Sequence, residues 1–409
     1  MYENLLYQHV VKQLSQDFKT GTLPGSILFS GPQNTGKLTC ALETARILSC
    51  TGKKTGYWLC DCPGCMQHKA MVNNNLILAG PRDCTPEIHA AAFSFLNALE
   101  NNSSYLEASR YFFIRSVRKL TLRFNPVLWQ GDDKLSKIAN IISGIDEELE
   151  PIDFPHKLPD LQSIQKSCKK IEDLCTKLES DFLYDSIPIA QVRNISSWAR
   201  LKSVEGKKTI ILENADRMLE SVRNALLKIL EEPPSDTVFI LTTSRRNAVM
   251  STILSRVRTY QFNERSLEQQ KDVLNRVFHK IDFEGSITDY LLTYLPVKGD
   301  FVRNLANEFF KTVVNGGIPD ISQIIKDCKN FDPRILFKIF LDGIVLTQRG
   351  LLSSPAGSQA SVELVKAIQQ CWNGVSVYNQ SISSALELLV RDMHKINKLH
   401  GNVLKCVNL

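Results

Sequence analysis

The sequence predicts an α/β protein built on a parallel sheet, followed by helical domains. Three observations carry this reading. A glycine-rich loop at 31–36 stands between a short apolar run, Ser26–Ser30, and a helical pattern at 37–49. A second apolar run, Lys208–Leu212, lies far downstream and ends on acidic and amide residues, Glu213 and Asn214. A third, Thr237–Thr243, follows a helix pattern at 221–230 that stops at Pro233 and Pro234, because proline cannot continue a helix. Apolar runs alternating with helices read as parallel strands covered on both faces.

The remaining elements follow in order. A helix is expected over 189–201, another near Thr252, and a last strand at 259–262. Residues 84–186 interrupt the α/β pattern and read as an insertion. Within it Leu135, Ile138, Ile142, Ile145 and Leu149 recur at alternating spacings of three and four, as do Leu161, Ile164, Cys168, Ile171, Cys175, Leu178 and Phe182. Such seams predict two packed helices, an antiparallel hairpin projecting from the α/β domain. Upstream, Arg110, Arg115, Arg118, Lys119 and Arg123 alternate with Tyr111, Phe112, Phe113, Ile114 and Phe124. This is read as an amphipathic element burying its aromatic face rather than a grip on DNA. Beyond 263 the pattern is helical, with a small lid at 264–315 and a second helical domain at 316–409.

The loop Gly31-Pro-Gln-Asn-Thr-Gly36-Lys37-Leu38 matches a phosphate-binding loop with one residue altered. Gly31 and Gly36 let backbone N–H groups curl around a phosphate, and Lys37 supplies a positive charge. The hydroxyl that would ligate Mg²⁺ is replaced by Leu38. Thr39 comes one residue later, about 100° around the helix, and faces away from a metal site. The strand ending at Glu213 is altered in the same sense. An Asp-Glu pair would hold the metal and polarise water. Glu213 is one methylene too long for the first role, and Asn214 cannot take a proton in the second. Three changes converge on a site that keeps its shape and has lost its reaction.

Composition sets the outer limits. The 409 residues, 43% hydrophobic and 22% charged, suit two or three folded domains, and a net charge of +6 permits contact with nucleic acid without requiring it. No apolar stretch approaches the ~18–20 residues of a membrane span, and the first residues do not read as a signal peptide, so a cytoplasmic location without membrane partners is expected. Of eleven cysteines, Cys50, Cys60, Cys62 and Cys65 fall within sixteen residues. In a cytosolic chain such a cluster points to a closed, structural Zn²⁺ site of four thiolates. Cys168 and Cys175 sit on an apolar stripe and read as core.

The run Asn224-Ala-Leu-Leu-Lys-Ile-Leu-Glu-Glu-Pro-Pro234, with Phe239-Ile-Leu-Thr-Thr243 and Ile253-Leu-Ser-Arg256, resembles the AAA+ subunits of the bacterial DNA polymerase III clamp loader. A phosphate loop followed at once by four cysteines is similar to its gamma/tau and delta-prime subunits. The resemblance implies an AAA+ P-loop domain at 1–263, with zinc module and helical insertion, then a helical lid and a helical collar. It also implies that Thr242 or Thr243 occupies the sensor-1 position and that Arg256 is an arginine finger for a neighbour's ATP site. Partners would be the gamma/tau and delta subunits, the sliding clamp and primed DNA. Leu38, Glu213 and Asn214, with no tau-like tail, fit the delta-prime type, a stator that does not hydrolyse ATP. Whether ATP or ADP still binds is left open. The alternatives are a gamma/tau-like motor and a nucleotide-sensing regulatory module.

Overall fold

A computed structural model describes residues 1–203, 206–378 and 380–406. The chain divides into two compact units, Met1–Leu291 and Leu292–Leu409. The boundary falls inside the segment read from sequence as a lid. The last three residues of the expected collar lie outside the described residues.

In the first unit, α1 (Val10–Lys19) leads into β1 (Ser26–Ser30), α2 (Lys37–Leu48), α3 (Pro63–Lys69) and β2 (Leu76–Ala79). Four helices follow: α4 (Thr85–Glu100), α5 (Leu106–Thr121), α6 (Leu135–Leu149) and α7 (Leu161–Phe182). The α/β pattern then resumes with α8 (Ile189–Ala199), β3 (Lys208–Leu212), α9 (Glu220–Glu231), β4 (Thr237–Thr243), α10 (Ser251–Leu254) and β5 (Arg258–Gln261). Helices α11 (Leu267–Phe278) and α12 (Ile287–Leu292) close the unit.

All strand pairs are parallel, in the order β2-β3-β4-β1-β5. Successive side chains of a strand point to opposite faces, so a strand covered on both sides must be apolar throughout. Ile27, Phe29, Ile211 and Ile240 pack on one face with Cys40, Ala41 and Ala45 of α2. Leu28, Ile210, Phe239 and Leu241 pack on the other with the helices that follow β2. Sequence reading did not identify β2, a run of only four apolar residues between Asn73–Asn75 and Gly80-Pro81. The last strand runs Arg258–Gln261, one residue earlier than expected.

The expected helix pair forms as α6 and α7. Its antiparallel sense is visible in Glu148 accepting from Lys170 Nζ at 2.6 Å, and in Lys134 Nζ reaching Tyr184 Oη at 3.3 Å. The pair does not project. Ile138, Ile145, Ile171 and Cys175 join Phe95, Phe113 and the strand residues Ile77 and Phe239 in one apolar core. Cys168 and Cys175 are fully buried there. Glu179 of α7 also caps the start of α4, accepting from the backbone N–H groups of Asp83, Cys84 and Thr85.

The second unit is helical. Helices α13 (Gly299–Val314), α14 (Ile321–Asp327), α15 (Ile335–Thr347), α16 (Pro355–Ser376) and α17 (Ile382–Leu399) surround a core that includes Phe309, Phe310, Phe337, Phe340, Leu364 and Leu386. Among the described residues, no helix of the chain is long and apolar enough to cross a membrane.

Candidate functional site

The glycine loop links β1 to α2, as the sequence requires. Gly36 is the N-cap of α2 at φ 89°, a left-handed conformation that suits glycine. A side chain at Gly31 would meet the Phe262 carbonyl oxygen at 2.3 Å, so this position admits hydrogen alone. Lys37 does not extend outward. Its Nζ donates to the Gly31 carbonyl at 2.7 Å and to that of Pro32. Burial pulls the Lys37 ammonium down to about 8, against the raising influence of Asp216 and Glu213. Leu38 packs against the core shared by α2 and the sheet, and Thr39 is half-buried.

The loop is braced from outside. Buried Arg265 donates Nη1 to the Asn34 carbonyl at 2.6 Å, and Nε and Nη2 to the Leu6 carbonyl at 3.2 and 3.0 Å. Asn34 Nδ2 donates to Thr288 Oγ1 on α12 at 2.8 Å.

At the end of β3, Glu213 does not stand free. Its carboxylate accepts from the Arg123 guanidinium, contributed by the short turn after α5, and the two side chains are only 15% and 5% exposed. Asn214 adopts φ 52° and donates its backbone N–H to Thr242 Oγ1 at 3.3 Å. Thr243 Oγ1 donates to Asp216 Oδ1 at 2.7 Å, and the other Asp216 oxygen accepts from Arg245 Nε at 3.1 Å. These threonines are therefore both buried and engaged. The set does not fit Mg²⁺: Leu38 offers no oxygen, and a guanidinium already sits on Glu213.

The basic residues of α5 are likewise spent internally. Buried Arg110 donates to the carbonyls of Ile152, Asp153 and His156, while Arg118 pairs with Asp153 and Lys119 with Glu87. Phe113, Ile114 and Phe124 are buried, as an amphipathic reading requires.

Arg256 follows α10. Its Nη2 lies 3.1 Å from the Glu231 carboxylate, and Nη1 donates to the Thr252 carbonyl at 2.9 Å. Arg256 is 28% exposed and its partner Glu231 58% exposed, so the pair lies at the surface.

The four cysteines converge as expected. The sulfurs of Cys50, Cys60, Cys62 and Cys65 all lie within 4.8 Å of one another, and those of Cys50 and Cys60 are 3.8 Å apart. A tetrahedron of thiolates at ~2.3 Å from zinc has an edge of about 3.8 Å, so the donor set and its spacing fit a metal such as zinc. Gly52 leaves room for the cage, since a side chain there would meet Cys60 Sγ at 2.5 Å. The Gly56 N–H donates to Cys50 Sγ at 3.4 Å.

Sequence reading gave Arg265 and Asp216 no role, and read Arg123 only as part of the basic and aromatic run at 110–124. Arg123 lies ninety residues from its partner, and no spacing rule connects them.

Comparison with known proteins adds the family. A family model described as DNA polymerase III, delta subunit, matches residues 7–126 and 154–266, more than half of the chain. Of the segment read as an insertion, only 127–153 lies outside the match. The chain is 36% identical over 103 residues to DNA polymerase III subunit delta' of Bacillus subtilis, and 35% identical over 78 residues to that of Haemophilus influenzae. These segments cover 24% and 19% of this chain and 30% and 24% of those proteins, so it spans under a third of the relatives it matches. A solved gamma subunit-related protein of DNA polymerase III from Thermotoga maritima aligns over 58% of this chain and 91% of its own, at 18% identity and a TM-score of 0.27. That overlap is too loose to bear on the fold.

Proposed function

The chain belongs to the DNA polymerase III delta subunit family, and from that premise we propose that it acts as a clamp-loader subunit of the delta-prime type, a stator that does not hydrolyse ATP. One observation carries the reading: Glu213 is occupied by Arg123. A carboxylate already compensated by a buried guanidinium attracts a metal ion far less than a free one. Leu38 and Asn214 act in the same direction, removing the metal's hydroxyl ligand and the carboxylate that orients water. The loop keeps its glycines and its lysine, so the shape of a nucleotide site persists.

The stator reading assigns Arg256 to a neighbour. Its guanidinium is tethered to Glu231, to the Thr252 carbonyl and to Ser255 Oγ. Exchange of such an exposed partner for a neighbour's γ-phosphate costs little, because surface ion pairs contribute about 0–1 kcal/mol. The partners would be gamma/tau and delta subunits, with the sliding clamp and primed DNA reached through the assembly. We place the protein in the cytoplasm, with the four cysteines holding a structural Zn²⁺ and with separate lid and collar portions after residue 263.

The deciding experiment measures ATP binding and turnover by the purified chain, then omits the chain from a reconstituted loader. The stator reading expects no turnover alone and loss of clamp loading on omission. Turnover abolished by Lys37→Ala would instead identify a motor. Clamp loading that proceeds unchanged without the chain would reject the loader role.

A further inference from the structure

Arg46 lies on α2, nine residues after Lys37, and is 2% exposed. Every edge of its guanidinium is used. Nε donates to Glu43 Oε2 at 2.9 Å, and Nη2 pairs with Oε1 of the same carboxylate. Nη2 also donates to the Gly56 carbonyl at 2.9 Å, while Nη1 donates to the Tyr57 carbonyl at 3.1 Å and to Cys65 Sγ at 3.0 Å. One side chain on a core helix thus grips a cysteine sulfur and two carbonyls of the loop that joins Cys50 to Cys60.

We propose that Arg46 is a positioning residue for the four-cysteine site, acting through Cys65 and the 56–57 backbone. The inference rests on the reading of those cysteines as a metal site. Four thiolates around a dication form a net anion, and Cys65 is the ligand fully buried within the fold. A buried anion needs donors arranged before the metal arrives, and outer-shell donors of this kind commonly govern affinity. Arg46 supplies the N–H aimed at that sulfur. Glu43 fixes the plane of the guanidinium so that the remaining N–H groups reach the loop carbonyls together. A lysine could not do this, because its ammonium is a single point on a flexible stem. The same contacts register the cysteine loop against α2, about 13 Å along the helix from Lys37.

The test uses the full chain and Co²⁺ or Zn²⁺ as the probe. Arg46→Lys keeps the charge and loses the fork. Glu43→Gln with Arg46→Gln removes both buried charges at once and so avoids stranding the carboxylate. Metal affinity is read by competition with a chromophoric chelator, and ligand geometry by the visible bands of bound Co²⁺. Both variants should bind about 10–100-fold more weakly, with altered Co²⁺ bands. Wild-type affinity and unchanged bands in a folded variant would overturn the role of Arg46 alone. Failure of the wild-type chain to bind either metal would overturn the metal reading together with it.

Discussion

Arg123 and Glu213 form a buried ion pair between the turn after α5 and the end of β3. The pair joins the helical layer to the position from which a carboxylate would hold a catalytic metal. Around it Asn214, Thr242, Thr243 and Asp216 are bonded to one another or to the backbone. The carboxylates of Glu213 and Asp216 and the hydroxyls of Thr242 and Thr243 are thus each engaged within the chain.

Breaking that pair on one side should be costly. Arg123→Met leaves a carboxylate only 15% exposed without its cation, a change that costs ~3–5 kcal/mol in comparable sites. Replacing both residues, Arg123→Met with Glu213→Met, should recover most of the loss. Urea unfolding of the single and double variants gives the comparison. Equal stability of the single variant and the wild type would remove the pair from the argument.

The Lys37 ammonium should titrate well below an ordinary lysine, near 8, because burial disfavours its charged form. Its folded value lies below its unfolded value, so between about 8 and 10.5 the unfolded chain binds more protons. Lys37 therefore weakens the fold most below pH 8, and that cost fades as pH rises toward 10.5. The stability advantage of Lys37→Met should shrink across this window. A difference independent of pH would contradict the assignment.

Metal analysis of protein purified without added zinc should give close to one equivalent, and Cys62→Ser with Cys65→Ser should abolish it. Chelation should also speed tryptic cleavage at the exposed Lys53 and Lys54, since the cysteine loop loses its central tie. Full metal content in the double variant would refute the four-cysteine assignment.

Arg256→Ala should change this chain's own stability by no more than about 1 kcal/mol, because the pair it breaks is exposed. In a reconstituted loader it should lower the DNA- and clamp-stimulated ATPase in part, as one site loses a cation directed at the transferred phosphate. Gel filtration verifies assembly. Undiminished turnover in a fully assembled complex would reject the finger.

Much of the fold is legible in the sequence. The apolar runs at 26–30, 208–212 and 237–243 declared strands buried on both faces, because partial burial would have left a polar residue at every second position. The glycine spacing of 31–36 and the cysteine cluster at 50–65 are local, and local spacing constrains backbone directly. Residues 135–149 and 161–182 likewise declared helices and their apolar stripes. Periodicity names the face that must be buried but not the surface that buries it. Only the tertiary structure laid those stripes on the sheet's core, and in doing so it brought Arg123 to Glu213 and Arg46 to Cys65. A charged side chain inside a protein must find its partner wherever packing has placed one. That partner is chosen by the way layers close on each other, and no spacing along the chain records it.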